Sequence, residues 1–467
     1  MKTPLDESYR DSIFTVDQDG KRRMIFPKRV QGYWAHRRRW VAYLLMFVLL
    51  ALPWLRLKGL PVVQVDVLGR RFVLLGQVFW PQDFYLLAIG LILGMLTIAW
   101  LTTVYGRVFC GWVCPQTIFM EHLFREVEYL IEGDRSAQIR RAQLPIWHAD
   151  RWPRWLFKNV VFWILSLVVA NTFWMYFLGS DAWLNKVISG PAAQPVHFGG
   201  MLAFTTVFFG VFSWFREQVC LIVCPYGRMQ GVLLDQSSMV IAYDSWRGET
   251  RGKMVRGEDR SISGKGDCVD CNLCVQVCPT GIDIRNGTQL ECINCTACID
   301  ACDDVMIHRG LPKGLIRYAS LQELKDRLQA PWTLRNKVYA GLVILLSLLW
   351  IALIALRSPM EANVRRAPGQ TYHVSNGRIR NLYTVQIINK NPGSAIASIH
   401  IIRPADAQLV WIADSVWTLP SKGQIRTSFF VELPLHQGRG SRRSVDLDLK
   451  QDGRSIQRVR TNFYGPP

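Results

Sequence analysis

Apolar positions in this chain are gathered into long uninterrupted runs, and then, toward the C-terminus, into short ones. Five long runs lie near Trp40 to Leu57, Phe84 to Tyr105, Trp155 to Leu178, His197 to Phe215 and Val338 to Leu356. Each approaches the roughly 20 residues that a helix needs to cross a hydrocarbon core. Lipid offers no hydrogen bonds to the backbone, so such segments are predicted to be helices. Trp34, Trp40, Trp100, Trp155, Trp214 and Trp350 stand at or near their ends, as interfacial belts do. Phe72 to Trp80 is too short to span and is expected at the interface. After Arg366 the texture becomes short β-rich runs: Asn381 to Ile388, Ala397 to Ile402, Leu409 to Ile412, Ile425 to Val431, Ser444 to Leu449 and Gln457 to Phe463. Turn residues separate them, at Asn391-Pro392-Gly393, Ser421-Lys422-Gly423 and Asp452-Gly453. About seven short strands over roughly 100 residues predict an immunoglobulin-like sandwich, here without any cysteine.

Composition agrees with a membrane chain: hydrophobic residues make up 50%, and 18 residues are Trp. The formal charge of +19 raises nucleic acid as a partner, but the basic residues flank the apolar runs, which assigns them to topology and headgroup contact instead. Lys21, Arg22, Arg23, Lys28, Arg29, Arg37, Arg38 and Arg39 precede the first run. Arg107, Arg125, Arg140, Arg141, Arg151 and Arg154 follow the second, whereas the third-to-fourth loop has only Lys186. The positive-inside rule therefore places the N-terminus and the loops at 106 to 154 and 216 to 337 in the cytoplasm, and the C-terminal tail outside. No apolar run with a small-residue cleavage site occurs in the first 30 residues, so a disordered, retained N-terminal tail is expected. The predicted architecture is a membrane all-α core of five transmembrane helices, an inserted bacterial dicluster ferredoxin (α+β) domain and a C-terminal all-β sandwich. Its boundaries are a basic tail at 1–39, a four-helix membrane region at 40–215, a cytoplasmic loop at 216–337, a fifth span at 338–356 and the sandwich at 357–467.

Twelve cysteines then supply the chemistry. Eight read Cys268-x2-Cys271-x2-Cys274-x3-Cys278-Pro279 and Cys292-x2-Cys295-x2-Cys298-x3-Cys302. This is the bacterial ferredoxin run given twice, in which three close thiolates hold one cluster and the fourth cysteine reaches the other. Cys268, Cys271, Cys274 and Cys302 are thus assigned to one [4Fe-4S] cluster, and Cys292, Cys295, Cys298 and Cys278 to a second. Zinc fingers use paired Cys-x2-Cys, not triplets closed by a fourth cysteine. Asp303 replaces the proline that should follow Cys302, and with Asp304 it adds negative charge expected to lower the first cluster's potential. The link from Pro279 to Glu291, with Gly281 and Gly287, reads as a turn between two small strands.

The other four cysteines form two copies of another pattern, Cys110-Gly-Trp-Val-Cys114-Pro115 and Cys220-Leu-Ile-Val-Cys224-Pro225, each after an even-numbered run. The two copies make runs one-two and three-four a diverged internal repeat. Cysteines at i and i+4 share a side of a helical turn, and the proline starts a new helix. One pair suits two-coordinate Cu(I), while four together make a tetrahedral S4 site for iron, zinc or a third cluster. Buried apolar cysteines and a dithiol-disulfide pair are the other readings. His122 lies with Glu121 and Glu126 on the amphipathic stretch Thr117 to Ile131, either as a ligand or quinone-site residue or as a solvated or interfacial histidine. Arg228 is expected to anchor lipid phosphate. No Cys-x2-Cys-His haem attachment, Gly-rich nucleotide fingerprint or catalytic triad is present.

These features together resemble the FixG/CcoG (RdxA) family of cytochrome c oxidase accessory proteins, from about residue 24 onward. A related membrane polyferredoxin family of nitrate and nitrous oxide respiration shares the paired Cys-x3-Cys-Pro hairpins and the dicluster loop but not the outside sandwich. The resemblance implies maturation of a cbb-type oxidase at the bacterial inner membrane, with the C-terminal domain periplasmic. The activity implied is reduction of Cu(II) to Cu(I), with Cys110, Cys114, Cys220 and Cys224 as the reactive thiolates. The implied partners are membrane lipid, a soluble cytoplasmic electron donor, oxidase subunits or a copper transporter or chaperone, and a second copy in a homodimer, with no nucleic acid. A quinol-linked electron-transfer subunit and a non-enzymatic assembly scaffold are the alternatives.

Overall fold

The computed structural model describes residue 22 and residues 24–466, apart from 58, 68, 255–259, 261, 328–331, 370, 376, 391–392, 413, 422 and 436–441. Of the expected N-terminal tail, residues 1–21 and 23 lie outside the described residues, as do parts of the turns at 391–393 and 421–423; residues 24–39 are ordered rather than disordered, with the Lys28 amide donating to the Gln276 carbonyl at 2.8 Å. The chain divides into two compact units, one of residues 1–55, 63–66 and 87–348, the other of 56–62, 67–86 and 349–467.

The longer helices are α1 (Tyr33–Ala51), α2 (Phe84–Tyr105), α3 (Trp152–Leu178), α4 (Pro195–Gly210), α5 (Ala297–His308) and α6 (Leu334–Ala355). Among the described residues, four helical segments are long and apolar enough to cross a membrane: Pro81–Tyr105, Trp152–Leu178, Pro195–Phe215 and Leu334–Ala355. The first expected span is placed differently. Its helix begins seven residues before Trp40, takes in Arg37, Arg38 and Arg39, and stops at Ala51; Arg56–Leu57 is already extended. The hydrophobic run alone could not reveal this, because the helix is started from its basic end. Asp300 of α5 accepts hydrogen bonds from the Trp34 and Ala35 amides at 3.1 and 2.6 Å, supplying the acceptor that a helix amino end needs.

Within the first unit, α3 and α4 pack around Phe162, Val169 and Phe212, with Phe124 buried against Phe162 and stacked on Phe212. The cysteine-rich loop has a second core formed by Ile241, Ile284, Ile299, Met306, Leu315 and Ile316. Its two strands, Met239–Tyr243 and Ile316–Ser320, pair antiparallel. Sequence reasoning expected the strand pair inside the cysteine run. There, among the described residues, the link from Pro279 to Glu291 forms only a single helical turn at Ile284–Asn286, and the strands close the loop from its flanks.

In the second unit the sandwich strands are β1 (Met360–Arg366), β2 (Arg378–Asn389), β3 (Ala395–Arg403), β4 (Gln408–Trp411), β5 (Val416–Leu419), β6 (Gln424–Pro434), β7 (Arg443–Gln451) and β8 (Arg454–Phe463). They form two sheets ordered β4-β6-β2-β1 and β5-β3-β7-β8, and a further short strand at His373–Ser375 pairs with the start of β2. Alternation drives the packing: Tyr383, Val385 and Ile387 of β2 are wholly buried, as are Phe429 and Val431 of β6 and Val445 of β7. The run Phe72 to Trp80, expected at an interface, forms a hairpin of Arg71–Leu74 and Gln77–Phe79, and Val73, Val78 and Trp80 pack with Ile388.

Candidate iron-sulfur and thiolate centre

The two ferredoxin-type runs share one backbone device. Asp270 and Asn272 lie in the left-handed region at φ 51° and 55°, and Asn294 and Thr296, at the same places in the second run, lie there at 54° and 65°. Short polar side chains tolerate this region, whereas a β-branched threonine does so rarely. The repeated kink turns each Cys-x2-Cys-x2-Cys segment around a common centre. Cys268, Cys271, Cys274 and Cys302 line one cavity beside Tyr243, Met306 and Leu315. Burial pushes the Cys274 thiol up to about 12 against the pull of Arg285. Burial also raises Cys302 to about 12, helped by the neighbouring charges of Cys274, Asp303, Cys268 and Cys271. In the second set, burial pushes Cys278 up to about 11 and Cys292 up to about 12, with Cys295 adding to each. Cys298 is raised well above the ordinary thiol range by burial and then by Cys295, Cys292 and Cys278. Cys302 thus stands with the first triplet and Cys278 with the second.

Both Cys-x3-Cys-Pro motifs fold alike. A single helical turn, Val108–Trp112 or Val219–Val223, ends at a cysteine with extended backbone (φ −60°, ψ 123° at Cys114; φ −70°, ψ 112° at Cys224), and proline opens the next helix. The two pairs are drawn into one neighbourhood. Burial raises Cys220 to about 12, and the charges of Cys114, Cys110 and Cys224 raise it further. Cys110 is raised by burial, against a hydrogen bond from Gln230 Nε2 at 3.1 Å and the charge of Arg107, with Cys114 and Cys224 acting upward. Among the described residues no three His, Cys, Asp or Glu side chains converge tightly enough to hold a single ion, so these are neighbourhoods of thiols rather than finished coordination spheres. Clustered thiols whose ionised forms repel one another are a donor set that a thiophilic cation binds by displacing their protons, which is the fit that iron-sulfur or copper binding requires.

The second ferredoxin-type set is the one pressed against this quartet. A Cβ on Gly111, between Cys110 and Cys114, would lie 2.3 Å from the Ile293 carbonyl oxygen, so only glycine permits the approach. Trp112 Nε1 and the Tyr318 hydroxyl both donate to the Asn294 carbonyl, at 3.2 and 3.0 Å. Two buried guanidinium groups bracket the contact. Arg38 Nε donates to the Gly111 carbonyl at 2.8 Å, and its charge acts on Cys295. Arg107 donates to the carbonyls of Leu290 and Gly227, and it feels the charges of Cys110, Cys292 and Glu291. Sequence reasoning missed Arg38, Arg107, Gln230 and Asn294. Both arginines were read as topology signals, and nothing in the local pattern distinguished them from their exposed neighbours.

His122 is half-buried rather than solvated. It lines a small cavity with Arg38, Arg39, Glu121 and Cys295, its Nε2 has no partner among the described residues, and burial followed by the two arginines holds it down at about 3. Glu126 pairs with Arg29 at 2.7 Å, and Arg125 with Glu121 at 2.9 Å. Nearby, Arg216 grips Glu128 through two bonds of 3.0 and 2.6 Å, fixing the entry to the second motif. Asp303 accepts from the Gly314 amide at 2.8 Å, and Arg228 is exposed.

A doubled ferredoxin run, a thiol quartet at the ends of apolar helices and a β-sandwich together define a helical iron-sulfur electron-transfer protein. Family models agree: a 4Fe-4S dicluster domain matches residues 215–321, a 4Fe-4S binding domain matches 87–137, and the IG-like fold at the C-terminal of FixG matches 350–466. The chain is 36% identical to protein RdxB of Cereibacter sphaeroides over 83% of its length and 84% of that protein's. It is 37% identical to protein RdxA of the same organism over 78% and 79%, and 34% identical to nitrogen fixation protein FixG of Rhizobium meliloti over 82% and 79%. The chain belongs to the FixG/RdxA family.

Proposed function

We propose that this chain reduces Cu(II) to Cu(I) at the Cys110, Cys114, Cys220 and Cys224 quartet, in the service of cbb-type oxidase maturation. The observation that carries this reading is the meeting of the two Cys-x3-Cys-Pro pairs in one buried thiol neighbourhood, against the second ferredoxin-type set. Cys268, Cys271, Cys274 and Cys302 would hold one [4Fe-4S] cluster, and Cys278, Cys292, Cys295 and Cys298 the other. When bound, such clusters supply one-electron storage and transfer. The chain's own residues do the rest. The quartet offers soft donors that favour Cu(I) over Cu(II), Gln230 orients the Cys110 sulfur, and Arg107 offsets thiolate charge. Each Cu(II) takes up one electron, drawn in the end from a soluble donor.

The same reading places the chain in the bacterial inner membrane, with the ferredoxin loop cytoplasmic and the sandwich periplasmic. An N-terminus inside and a sandwich outside require an odd number of crossings. With four apolar helices among the described residues, the fifth crossing would come from the apolar end of α1, Trp40–Ala51, which rises about 18 Å, together with Leu52–Leu55 after it. The test is to mix anaerobic, dithionite-reduced protein with Cu(II) and follow the visible absorbance. Parent protein should oxidise as Cu(I) forms, and Cys110→Ser with Cys220→Ser should remove that reaction; an unchanged rate in the double variant would sink the copper assignment.

A second reading is favoured by the 4Fe-4S binding-domain match, which includes Cys110 and Cys114. In it the quartet holds a third cluster, and the chain is an electron-transfer subunit. About twelve irons per chain, falling to about eight in the quartet variant, would support this alternative.

A further inference from the structure

The second unit contains a site that none of the above uses. The outward face of the β4-β6-β2-β1 sheet carries a row of polar side chains. Thr384 of β2 stands opposite Arg365 of β1, and Gln386 stands opposite Asn363 of β1 and Arg426 of β6. Such a face ordinarily lies open to water. Here the segment around Gly69 to Gln82 stands over part of it, and the two enclose a cleft of about 390 Å³. Arg70, Arg365 and Arg426 line the cleft together with Gln82, Gln386 and Gln424, and among the described residues no Asp or Glu lines it. Three guanidinium groups around one cleft without a carboxylate repel one another unless an anion joins them, and planar donor forks match phosphate oxygens best. The glutamine pair is already ordered, with Gln386 Nε2 donating to Gln424 Oε1 at 2.6 Å.

The position in the chain indicates the source of the anion. Pro81 and Gln82, both lining residues, are also the first residues of the apolar segment Pro81–Tyr105, and β1 begins five residues after α6 ends at Ala355. The cleft is therefore joined by short stretches of chain to the ends of two candidate spans, and the ends of membrane spans meet the headgroup layer. The walls toward the helix are anchored. Asp83 accepts from Lys390 Nζ at 2.8 Å and pairs with Arg357, and Lys390 also reaches Glu361 at 2.7 Å. These acids are thus occupied by other cations, leaving the three cleft arginines uncompensated.

We propose that this cleft binds the phosphodiester of an anionic phospholipid headgroup, with Arg70, Arg365 and Arg426 as its charged donors. The experiment uses delipidated full-length protein in neutral detergent, titrated with phosphatidylglycerol and read by native mass spectrometry. Parent protein should retain phosphatidylglycerol in preference to phosphatidylcholine, and Arg365→Gln with Arg426→Gln should weaken that retention at least about tenfold, the effect of losing charge-assisted phosphate contacts. A control pair on the other sheet, Arg454→Gln with Arg458→Gln, should leave it unchanged. Equal retention of the two lipids, no loss in the first double variant, or an equal loss in the control pair would each overturn the proposal. Soluble glycerol phosphate is the remaining arm: if it displaces the lipid at equal concentration, the cleft serves a soluble phosphate and the lipid assignment falls. Both double variants change exposed side chains on strand faces, and their circular dichroism spectra should match the parent's.

Discussion

The two ferredoxin-type thiol sets have nearly the same sequence and the same backbone kinks, yet they live in different surroundings. The first set includes Cys271, the one exposed cysteine of the chain, and its cavity is walled by the loop's own strands and helix. The second set is bounded by Gly111, Trp112, Arg38 and Arg107, all from the segments that carry or adjoin the thiol quartet. Identical motifs have thus been made into an outward-facing and an inward-facing member by what packs on them. Under the proposed function this difference would order the two sets as outer and inner on the electron path, without any difference in the ligands.

The strongest way to break this comparison is to remove one set at a time. Cys298→Ala should lower iron content by about half of the roughly eight atoms, and the surviving first set, once reduced, should no longer be reoxidised by Cu(II). Cys271→Ser should lose as much iron while leaving the second set open to reoxidation. Similar kinetics in the two variants would mean that the sets are not ordered as inner and outer.

A smaller effect sharpens the same point. Arg107→Gln removes a buried positive charge beside Cys292 and Cys110 and should lower the second set's midpoint potential by on the order of 2 kcal/mol, or about 90 mV. An EPR-monitored redox titration would read this directly. A shift of equal size in the first set would show that Arg107 acts on the whole loop and not on the inner member.

The smallest expected effect concerns pH. His122, beside the inner set, titrates at about 3 when folded, against 6.5 as its ordinary value. Between those values the unfolded chain binds a proton that the folded chain refuses, so stability falls as pH drops below 6.5, by about 1 kcal/mol at pH 5.5. His122→Gln should narrow the gap between thermal midpoints measured at pH 7 and pH 5.5. An unchanged gap would mean that the cavity around His122 admits water and that the inner surroundings are less dry than described.

Much of this organisation was legible in the chain. Long apolar runs foretold α2, α3, α4 and α6 within a few residues, since length and composition alone decide such helices. Alternation foretold six of the sandwich strands, but β1 and the four-residue β5 were missed; in β1, Glu361, Asn363, Arg365 and Arg366 hide an alternating buried set of Met360 and Ala362. The cysteine spacings revealed which thiols form sets. They could not reveal that Cys110 and Cys220 meet, because 110 residues separate them and only tertiary packing joins two turns of the same shape. The roles of Arg38 and Arg107 were invisible for a related reason. A basic residue beside an apolar run satisfies the topology rule whether it faces headgroups or is buried against a cysteine loop.

Asp300 carries a last consequence, for biogenesis. It caps the amino end of α1, the first helix among the described residues, yet it lies 266 and 265 residues beyond the amides it holds. It also sits between Cys298 and Cys302, on the helix that contributes to both thiol sets. The first membrane-proximal helix is therefore completed only after the cysteine loop has been synthesised and folded. If that loop folds as its clusters are loaded, seating of α1 would wait on metal, so a chain starved of iron should be cut by proteases near α1 sooner than the loaded chain.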